Sequence, residues 1–465
     1  MDEAVAVMDV GKTHAKLSLI GPGGDVVATR SRANAAVVAD GRPALDAHGI
    51  ETWAIGALTE LAGLAAVVAI VPVGHGAAAA LVDGDALVAP VLDYEAEPPS
   101  AIADAYDSER DTFEATLSPR LPQGLNLGLQ LFWQEALYPA VWPARAQALL
   151  WPQYWAWRLC GERAAEVTSL GCHTDLWRPY EAGYSALAKR HGWDQRLGPL
   201  RPARAVLGTL RPELALATGL PADCRVLCGL HDSNASLNAV RGLVEVAGGA
   251  FSLISTGTWF VTFQSGGRGR RLLDRARGTL ANVNVDGHAV PSARFMGGRE
   301  YAAILGADLG ATATLAAAAA VVEAGVSTRP SGGPFPWMPP AWIDATETPT
   351  QRAALASLHL ALMSDVELDL VGRHGPIVIE GRFAEDPVFP AALAALRPNA
   401  AVYACHGGDA VALGAARLVW PNLRSPAPLR RIQPAPFDLA AYAEAWREAA
   451  HPPRTAPNTT KAPVI

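Results

Sequence analysis

The chain has 465 residues, of which 50% are hydrophobic and 18% are charged, and its formal net charge is −7. This length and composition are typical of a globular protein with more than one domain, and the acidic balance gives no reason to expect nucleic-acid binding. No apolar run of transmembrane length occurs, and the N-terminus lacks the basic region of a secretory signal. We therefore predict a cytoplasmic protein that does not bind membranes.

The chain opens on a hairpin pattern. The apolar segment 4–8 is followed by the turn Asp9-Val10-Gly11-Lys12-Thr13-His14-Ala15-Lys16 and by a second apolar segment, 17–20. Glycine beside a hydroxyl residue lets backbone N–H groups approach an anion. A P-loop is excluded, because the glycine required five positions before Gly11 is Ala6 and because a strand rather than a helix follows.

The next segments combine strands with polar loops. A buried strand is predicted over 66–71, followed by His75-Gly76, and a hairpin over 77–92 leads to Asp93. Residues 125–160 look helical and are rich in tryptophan, for which core packing is expected, with one or two tryptophans left as candidates for stacking on a sugar. The run 168–175, which contains His173, is unusually polar for its surroundings.

A short strand over 225–228 runs into the loop Gly229-Leu230-His231-Asp232, and a helix is predicted from Ser233. An aspartate in this position either caps the helix or faces a ligand as a general base. Both alternatives are compatible with the sequence.

The hairpin pattern then recurs. The apolar segment 251–254 is followed by the turn Ser255-Thr256-Gly257-Thr258 and by a second strand over 259–263. Both turns contain a glycine with a threonine one or two residues away, and each turn opens a half of the chain. This layout predicts a duplicated fold that clamps a polyphosphate between its halves.

Two strand–loop–helix units follow, one through Glu380-Gly381-Arg382-Phe383 and one through Cys405-His406-Gly407-Gly408-Asp409. Strands that alternate with crossover helices predict two α/β domains with mixed sheets, whose ligand crevice lies at the carboxyl ends of strands. We place the first domain at 1–243, the second at 244–425 and a proline-rich tail at 426–465, the last part of which is expected to be poorly ordered.

In their order and spacing, these segments resemble the FGGY carbohydrate kinases of the actin, Hsp70 and sugar-kinase superfamily. The first phosphate motif of that family is similar to residues 9–16, with Lys12 replacing a usual threonine, and the second is similar to 255–259. The catalytic Gly-x-x-Asp loop is similar to 229–232, and the adenosine motif to 407–415. The loop at Gly381 departs from the family pattern, because it has one glycine instead of a cluster. The resemblance implies two actin-like (ribonuclease H-like) domains that hold nucleotide and sugar in the cleft between them.

The resemblance also implies roles for individual residues. Asp232 would be the catalytic base, and Asp9 would hold Mg²⁺ through water, since magnesium needs few protein carboxylates. The residues expected to contact ATP are Gly11, Lys12, Thr13, Lys16, Ser255, Thr256, Gly257, Thr258, Gly381, Gly407, Gly408 and Asp409. The residues expected to contact the sugar are His75, Gly76, Asp93, His173, His231 and Asp232.

The implied activity is ATP-dependent phosphorylation of a terminal hydroxyl of a ketose. The pattern over 231–236 is most similar to rhamnulose and fuculose kinases, which favours L-rhamnulose or L-fuculose. D-Ribulose and D-xylulose remain alternatives, because one methyl group in an apolar pocket changes selectivity by only ~1–3 kcal/mol. A catalytically silent sugar- or nucleotide-binding regulator is a further alternative, whereas an Hsp70-like ATPase would need more chain after the second domain. The oligomeric state stays open, a homodimer being one alternative.

Overall fold

The structure is a computed structural model that describes residues 2–142, 146–243, 246, 249–267, 272–338, 346, 348–405, 409–423 and 429–450. Two seven-stranded mixed sheets dominate these residues. The prediction of two α/β domains with mixed sheets is confirmed. None of the helices in these ranges is long and apolar enough to span a membrane.

The first sheet belongs to the N-terminal half. Its strands are β1 (Glu3–Val10), β2 (His14–Ile20), β3 (Val26–Ala33), β6 (Ala66–Gly74), β12 (Val206–Thr209), β13 (Arg225–Leu227) and β14 (Leu230–His231). Their order is β12-β13-β6-β1-β2-β3, with β14 also paired to β6.

The second sheet belongs to the C-terminal half. Its strands are β15 (Phe251–Thr256), β16 (Phe260–Ser265), β17 (Thr279–Val283), β18 (Ala289–Phe295), β19 (Ile377–Gly381), β20 (Val402–Cys405) and β21 (Leu429–Arg431). Their order is β17-β18-β16-β15-β19-β20-β21.

The two sheets repeat one topology. In each, the first hairpin strand (β1 or β15) pairs antiparallel with the next strand and parallel with a strand that arrives by a crossover (β6 or β19). The predicted duplication of the fold is therefore confirmed. Asp9 lies near the end of β1 and Thr256 at the end of β15, so both predicted phosphate turns lie at a carboxyl edge of a parallel strand pair.

Smaller elements cover the first sheet and extend from it. The helices of the first half are α1 (Ala47–Ala62), α2 (Ser100–Glu109), α3 (Phe113–Thr116), α4 (Leu127–Leu137), α5 (Trp151–Cys160), α6 (Val167–Leu170), α7 (Ala186–Arg190), α8 (Trp193–Arg196), α9 (Pro212–Thr218) and α10 (Asp232–Val240). Three small sheets are formed by β4 (Val37–Ala39) with β5 (Arg42–Ala44), by β7 (Ala79–Asp83) with β8 (Ala86–Leu87) and β9 (Gln147–Leu150), and by β10 (Trp177–Arg178) with β11 (Gly183–Tyr184).

The helices of the second half are α11 (Gly297–Leu305), α12 (Leu315–Glu323), α13 (Pro349–Leu370), α14 (Phe389–Leu396), α15 (Ala410–Ala416) and α16 (Ala440–Ala449). Short 3-10 helices lie at Arg275–Arg277, Gly306–Asp308 and Arg382–Glu385. Helix α13 is the centre of the second core, because nearly all of its residues from Ala353 to Leu370 are buried.

Strand β1 is buried on both faces, which explains why its sequence is continuously apolar. Met8 and its alternate neighbours pack with α1, α5 and α9, whereas Val5 and Val7 pack against α15. Helix α15 therefore covers the first sheet although it follows the strands of the second.

Helices α10 and α15 cross in backbone contact at Gly414. A Cβ atom on Gly414 would lie 1.7 Å from the carbonyl oxygen of Ala235, and the Asn238 side chain donates to the Gly414 carbonyl at 2.8 Å. Glycine is therefore required there for close packing. The crossing joins the helix that begins at Asp232 to the helix that Asp409 caps.

Two sequence predictions differ from the structure. The range 125–160 is not one helical region, because β9 separates α4 from α5. The range 426–465 is folded in its described part, since β21 pairs with β20 and α16 buries Trp446. The second half therefore extends to at least residue 450. Residues 426–428 and 451–465 lie outside the described ranges.

Candidate active site

Asp232 is the first residue of α10 and follows directly on β14. Its Oδ1 accepts hydrogen bonds from the Ser233 N–H at 2.5 Å and the Ser233 hydroxyl at 3.2 Å. Its Oδ2 accepts no hydrogen bond from the described residues, and the side chain is 30% exposed. The carboxylate is thus held at one oxygen and available at the other.

Asp232 opens into a cavity of about 210 Å³ that both halves of the chain line. From the first half the cavity is lined by Lys12, His75, Gly76, Tyr94, Leu125, Cys172, His173, His231, Asp232 and Ser233, and from the second by Trp259, Val261, Phe263, Leu280, Asn282 and Arg294. The cavity is smaller than the ~300–1,000 Å³ typical of sites for drug-sized ligands, so it suits a small molecule.

Three neutral histidines give the cavity its hydrogen-bonding character. Burial lowers the pKa of His75 and of His231, and burial, followed by the charge of Arg294, lowers the pKa of His173 to about 3. The Nδ1 atoms of His75 and His173 lie 2.7 and 2.6 Å from carbonyl oxygens, so both must be donors. The Nε2 atoms of these two rings are therefore acceptors, and that of His75 is buried without a partner. Such acceptors suit the hydroxyl donors of a sugar.

His231 has the opposite tautomer. Its Nδ1 lies 3.4 Å from the amide nitrogen of Asn234 and acts as the acceptor, so Nε2 carries the proton. That nitrogen lies 3.2 Å from Cys172 Sγ and 3.3 Å from Asp232 Oδ1. His231 can therefore stabilise the Asp232 carboxylate.

The backbone beside His231 is held by a directional chain of hydrogen bonds. The His231 N–H donates to Thr168 Oγ1 at 3.0 Å, and the Thr168 hydroxyl donates to Glu166 Oε2 at 2.6 Å. Burial raises the pKa of Glu166 to about 7. This chain fixes the residue that precedes Asp232.

The loop that carries His173 has an unusual backbone. His173 and Asp175 have φ angles of +39° and +64°, a region that costs side chains of this kind some strain. The Asn126 amide donates to the His173 carbonyl, and Arg110 binds Asp175 at 2.8 Å. These contacts hold His173 at the cavity wall.

Asp9 is the predicted magnesium ligand, and it is a buried carboxyl group. Burial, followed by the charges of Asp232 and Asp409, raises its pKa to about 8, and its buried Oδ1 has no hydrogen-bond partner. A divalent cation near these three carboxylates would relieve their repulsion. In the described ranges no group of three or more His, Cys, Asp or Glu side chains is arranged to hold a metal ion.

In the first turn, Lys12 and Lys16 point to different partners. Lys12 forms ion pairs with Asp93 and with Glu95, and its amino group lies 5.2 Å from the Tyr94 ring centre. Lys16 pairs with Asp409 at 2.8 Å. Lys12 thus lines the cavity that Asp232 also lines, whereas Lys16 and the exposed Thr13 are not among its lining residues.

Asp93 does not line the cavity itself. It is buried and acts through Lys12, while Gly76 and His75 form the wall beside it. Gly11 leaves room for the turn, because a Cβ atom there would lie 3.0 Å from the His14 carbonyl oxygen.

The second turn packs against two glycines. A Cβ atom on Gly381 would lie 2.1 Å from the Thr256 carbonyl oxygen, and its φ is +85°. A Cβ atom on Gly298 would lie 2.3 Å from the Gly257 carbonyl oxygen. The Thr256 hydroxyl already donates to the Glu380 carbonyl at 2.5 Å, whereas Thr258 is exposed. The segment 295–300 thus supports the second turn.

Gly407 and Gly408 lie outside the described residues. Asp409, which follows them, caps α15 by accepting the Ala412 N–H at 3.1 Å.

The structure adds cavity residues that sequence reasoning did not identify. Arg294, at the end of β18, lies over the Trp259 ring at 4.8 Å from its centre. Trp259 also lines the cavity, whereas the five tryptophans of the 125–160 range are buried in the core. A signal was present in the sequence, because Arg294 is a charged residue within an otherwise buried strand.

The chain is similar to known carbohydrate kinases. Residues 248–427 match the family model described as carbohydrate kinase FGGY, C-terminal domain. The structure is similar to the crystal structure of a carbohydrate kinase from Novosphingobium aromaticivorans, with 42% identity, a TM-score of 0.89, and coverage of 96% of this chain and 100% of that one.

Two more distant relatives have a lower sequence identity to this chain. An L-fuculokinase from Salmonella typhi is 26% identical over 289 residues, and the match spans 57% of either chain. The xylulose kinase from Rhodospirillum rubrum shares the fold, with 20% identity, a TM-score of 0.76 and coverage of 96% of each chain.

Proposed function

Because the chain belongs to the FGGY family of carbohydrate kinases, we propose that it transfers the γ-phosphoryl group of ATP to a terminal hydroxyl of a small ketose. The observation that carries this proposal is the position of Asp232. Its Oδ2 accepts no hydrogen bond from the described residues, and the residue lines a cavity bordered by the first turn at Lys12 and by the second turn at Trp259. A hydroxyl held in this cavity lies next to both predicted phosphate turns.

Asp232 acts as the base. Its Oδ2 accepts the proton of the sugar hydroxyl as that oxygen attacks the γ-phosphorus in line, and ADP leaves with the pair of electrons of the broken bond. Ser233 holds the other carboxylate oxygen, and the His231 Nε2–H stabilises its charge. The acceptor nitrogens of His75 and His173 orient the remaining hydroxyls.

The phosphates are held at the two turns. Lys16 supplies positive charge, and Thr13, Ser255 and Thr258 supply hydroxyl and backbone donors, together with the N–H groups around Gly11 and Gly257. Asp9 would hold Mg²⁺ through water, and the bound ion would neutralise phosphate charge during transfer. Closure of the halves over the ligands would exclude water and limit ATP hydrolysis.

Among ketoses, L-fuculose and L-rhamnulose are the first candidates. The residues at 231–236 support them, as does the similarity to the Salmonella typhi L-fuculokinase. D-Ribulose and D-xylulose come next, since the cavity discriminates a methyl group by only ~1–3 kcal/mol.

The test is a coupled ADP-release assay with Mg²⁺-ATP and a panel of ketoses, aldoses and polyols. A clear rate with one ketose supports the kinase and identifies the acceptor. If the protein binds ATP but no sugar of the panel stimulates ADP release, a catalytically silent binding regulator would be favoured instead. The single glycine in the loop at Gly381, where the family has a cluster, also supports this second candidate.

A further inference from the structure

Arg294 is a charged group in the cavity without a counter-ion. Its guanidinium lines the cavity and stacks on Trp259, yet it forms neither a salt bridge nor a hydrogen bond with any residue in the described part of the chain. An arginine largely removed from water is normally paired, because desolvating an unpaired charge is unfavourable. Burial lowers the pKa of Arg294 to about 10, so the group stays charged at neutral pH.

No carboxyl group in the described part of the chain forms an ion pair with Arg294. Glu367 is the one carboxyl group that influences the pKa of Arg294, and burial raises the pKa of Glu367 itself well above its usual range. Its Oε2 accepts a hydrogen bond from the Thr262 hydroxyl at 2.6 Å, and its buried Oε1 has no hydrogen-bond partner.

The other cation of the cavity is already neutralised. Lys12 is paired with Asp93 and lies 3.5 Å from Glu95. Among the residues that line the cavity, Arg294 is thus the cation that remains available to an anionic ligand.

Arg294 and the predicted base Asp232 line the same cavity, Asp232 from the first half of the chain and Arg294 from the second. A small ligand that fills this cavity can therefore contact Asp232 through a hydroxyl and Arg294 through another group.

We propose that Arg294 binds a carboxylate of the substrate, so that the preferred acceptor is an acidic sugar whose carboxylate lies at the end opposite the phosphorylated hydroxyl. This inference rests on the proposed kinase function, and it replaces the neutral ketoses as first candidates by keturonates and aldonates. Guanidinium binds carboxylate through two parallel charge-assisted hydrogen bonds, and the stacked Trp259 ring keeps its plane in place. The acceptor nitrogens of His75 and His173 match the hydroxyls along the chain of such a sugar.

The experiment compares matched acceptors that differ only at the remote end. Keturonates are measured against the hexuloses and 6-deoxyhexuloses that carry a hydroxymethyl or a methyl group in place of the carboxylate, and aldonates against the corresponding alditols. The proposal predicts kcat/KM about 100-fold higher for the acids. Arg294→Met should lower kcat/KM for the acids by about 100-fold. Arg294→Lys should keep part of the preference for acids, since lysine keeps the charge but loses the bidentate geometry.

Arg275→Met is the matched control, because Arg275 is an exposed arginine of the same half outside the cavity. Thermal unfolding of each variant separates loss of binding from loss of folding. A neutral ketose preferred by the wild type and by Arg294→Met alike would overturn the proposal while leaving the kinase function intact. A loss of kcat in Arg294→Met for every acceptor, neutral and acidic, would assign the guanidinium to the phosphoryl group and would also overturn it.

Calorimetric binding without ATP keeps the proposal testable if no acceptor is phosphorylated. Binding of a keturonate or an aldonate to the wild type that is lost in Arg294→Met, with no turnover, would support the acidic ligand and contradict the kinase function. The absence of any such binding would contradict the acidic ligand.

Discussion

Lys16 Nζ lies 2.8 Å from Asp409 Oδ2, an ion pair that joins the first turn to the N-terminus of α15. Asp409 Oδ1 caps the helix at the same time. Through this pair the lysine predicted to bind phosphate is held in the cleft before ATP arrives.

Lys16→Met should therefore weaken ATP binding. Loss of a charged hydrogen-bond donor to phosphate should raise the KM for ATP by at least ~10-fold, with a smaller effect on the KM for the sugar. Steady-state kinetics with ATP as the varied substrate measures this. Lys189→Met, at an exposed lysine of the first half, is the control and should leave both constants unchanged.

The two functions of Asp409 can be separated by substitution. Asp409→Asn keeps an oxygen that accepts the Ala412 N–H, whereas Asp409→Ala removes it, so only the alanine variant should lose about 1 kcal/mol of unfolding free energy. Denaturant unfolding measures both. Equal losses in the two variants would show that the ion pair, rather than the cap, stabilises this helix.

Gly381→Ala should be strongly destabilising. The new Cβ atom would meet the Thr256 carbonyl oxygen at 2.1 Å, at a φ of +85°. We expect a loss of ~1–3 kcal/mol in unfolding free energy from backbone strain alone. Gly56→Ala is the control, since a Cβ atom there meets nothing within 4 Å, and alanine inside helix α1 should stabilise by roughly 0.5–1 kcal/mol. An unchanged free energy of unfolding in Gly381→Ala would contradict the close packing at the second turn.

Glu166 should make stability depend on pH. Burial raises the pKa of Glu166 to about 7 from its ordinary value of 4.5. A raised pKa of an acid means that the folded state binds the proton more tightly than the unfolded state. The contribution of protonated Glu166 to the free energy of unfolding is therefore fully present below about pH 4.5 and is lost as the pH rises through about 7. The loss amounts to about 3 kcal/mol. Glu166→Gln, which still accepts from Thr168, should remove this part of the pH dependence, as measured by unfolding at several pH values.

Gly76→Ala should affect the sugar but not ATP. The added methyl group would lie 3.1 Å from Cys172 Sγ and His231 Nε2 and 3.4 Å from His173 Nε2, inside the cavity. A methyl group in a tight pocket changes binding by at least ~10-fold, so the KM for the sugar should rise by that factor. An unchanged KM for the sugar in a folded variant would place the sugar elsewhere.

Features that depend on residues adjacent in sequence could be predicted. The two hairpins and the loop before Asp232 were predicted because the alternation of apolar residues, the glycines and the strand ends are local properties of the sequence. Arg294 was not identified, since its place in the cavity depends on the pairing of β18 with β16 and on the meeting of two halves distant in sequence.

The C-terminal segment shows a second kind of failure. Strand β21 has only three residues and lies among prolines, so its pairing with β20 left no local signal. Helix α16 was readable in principle, because Leu439, Tyr442, Ala443 and Trp446 recur with helical spacing on one buried face.

The most direct test of the whole account is the sugar-dependent release of ADP by Asp232→Asn, with the best acceptor of the wild type. The carboxamide keeps an oxygen that accepts from Ser233 but cannot take the hydroxyl proton. We predict that kcat falls by about 10²–10⁴-fold while ATP binding and the unfolding temperature stay close to those of the wild type. Turnover at the wild-type rate would contradict Asp232 as the base.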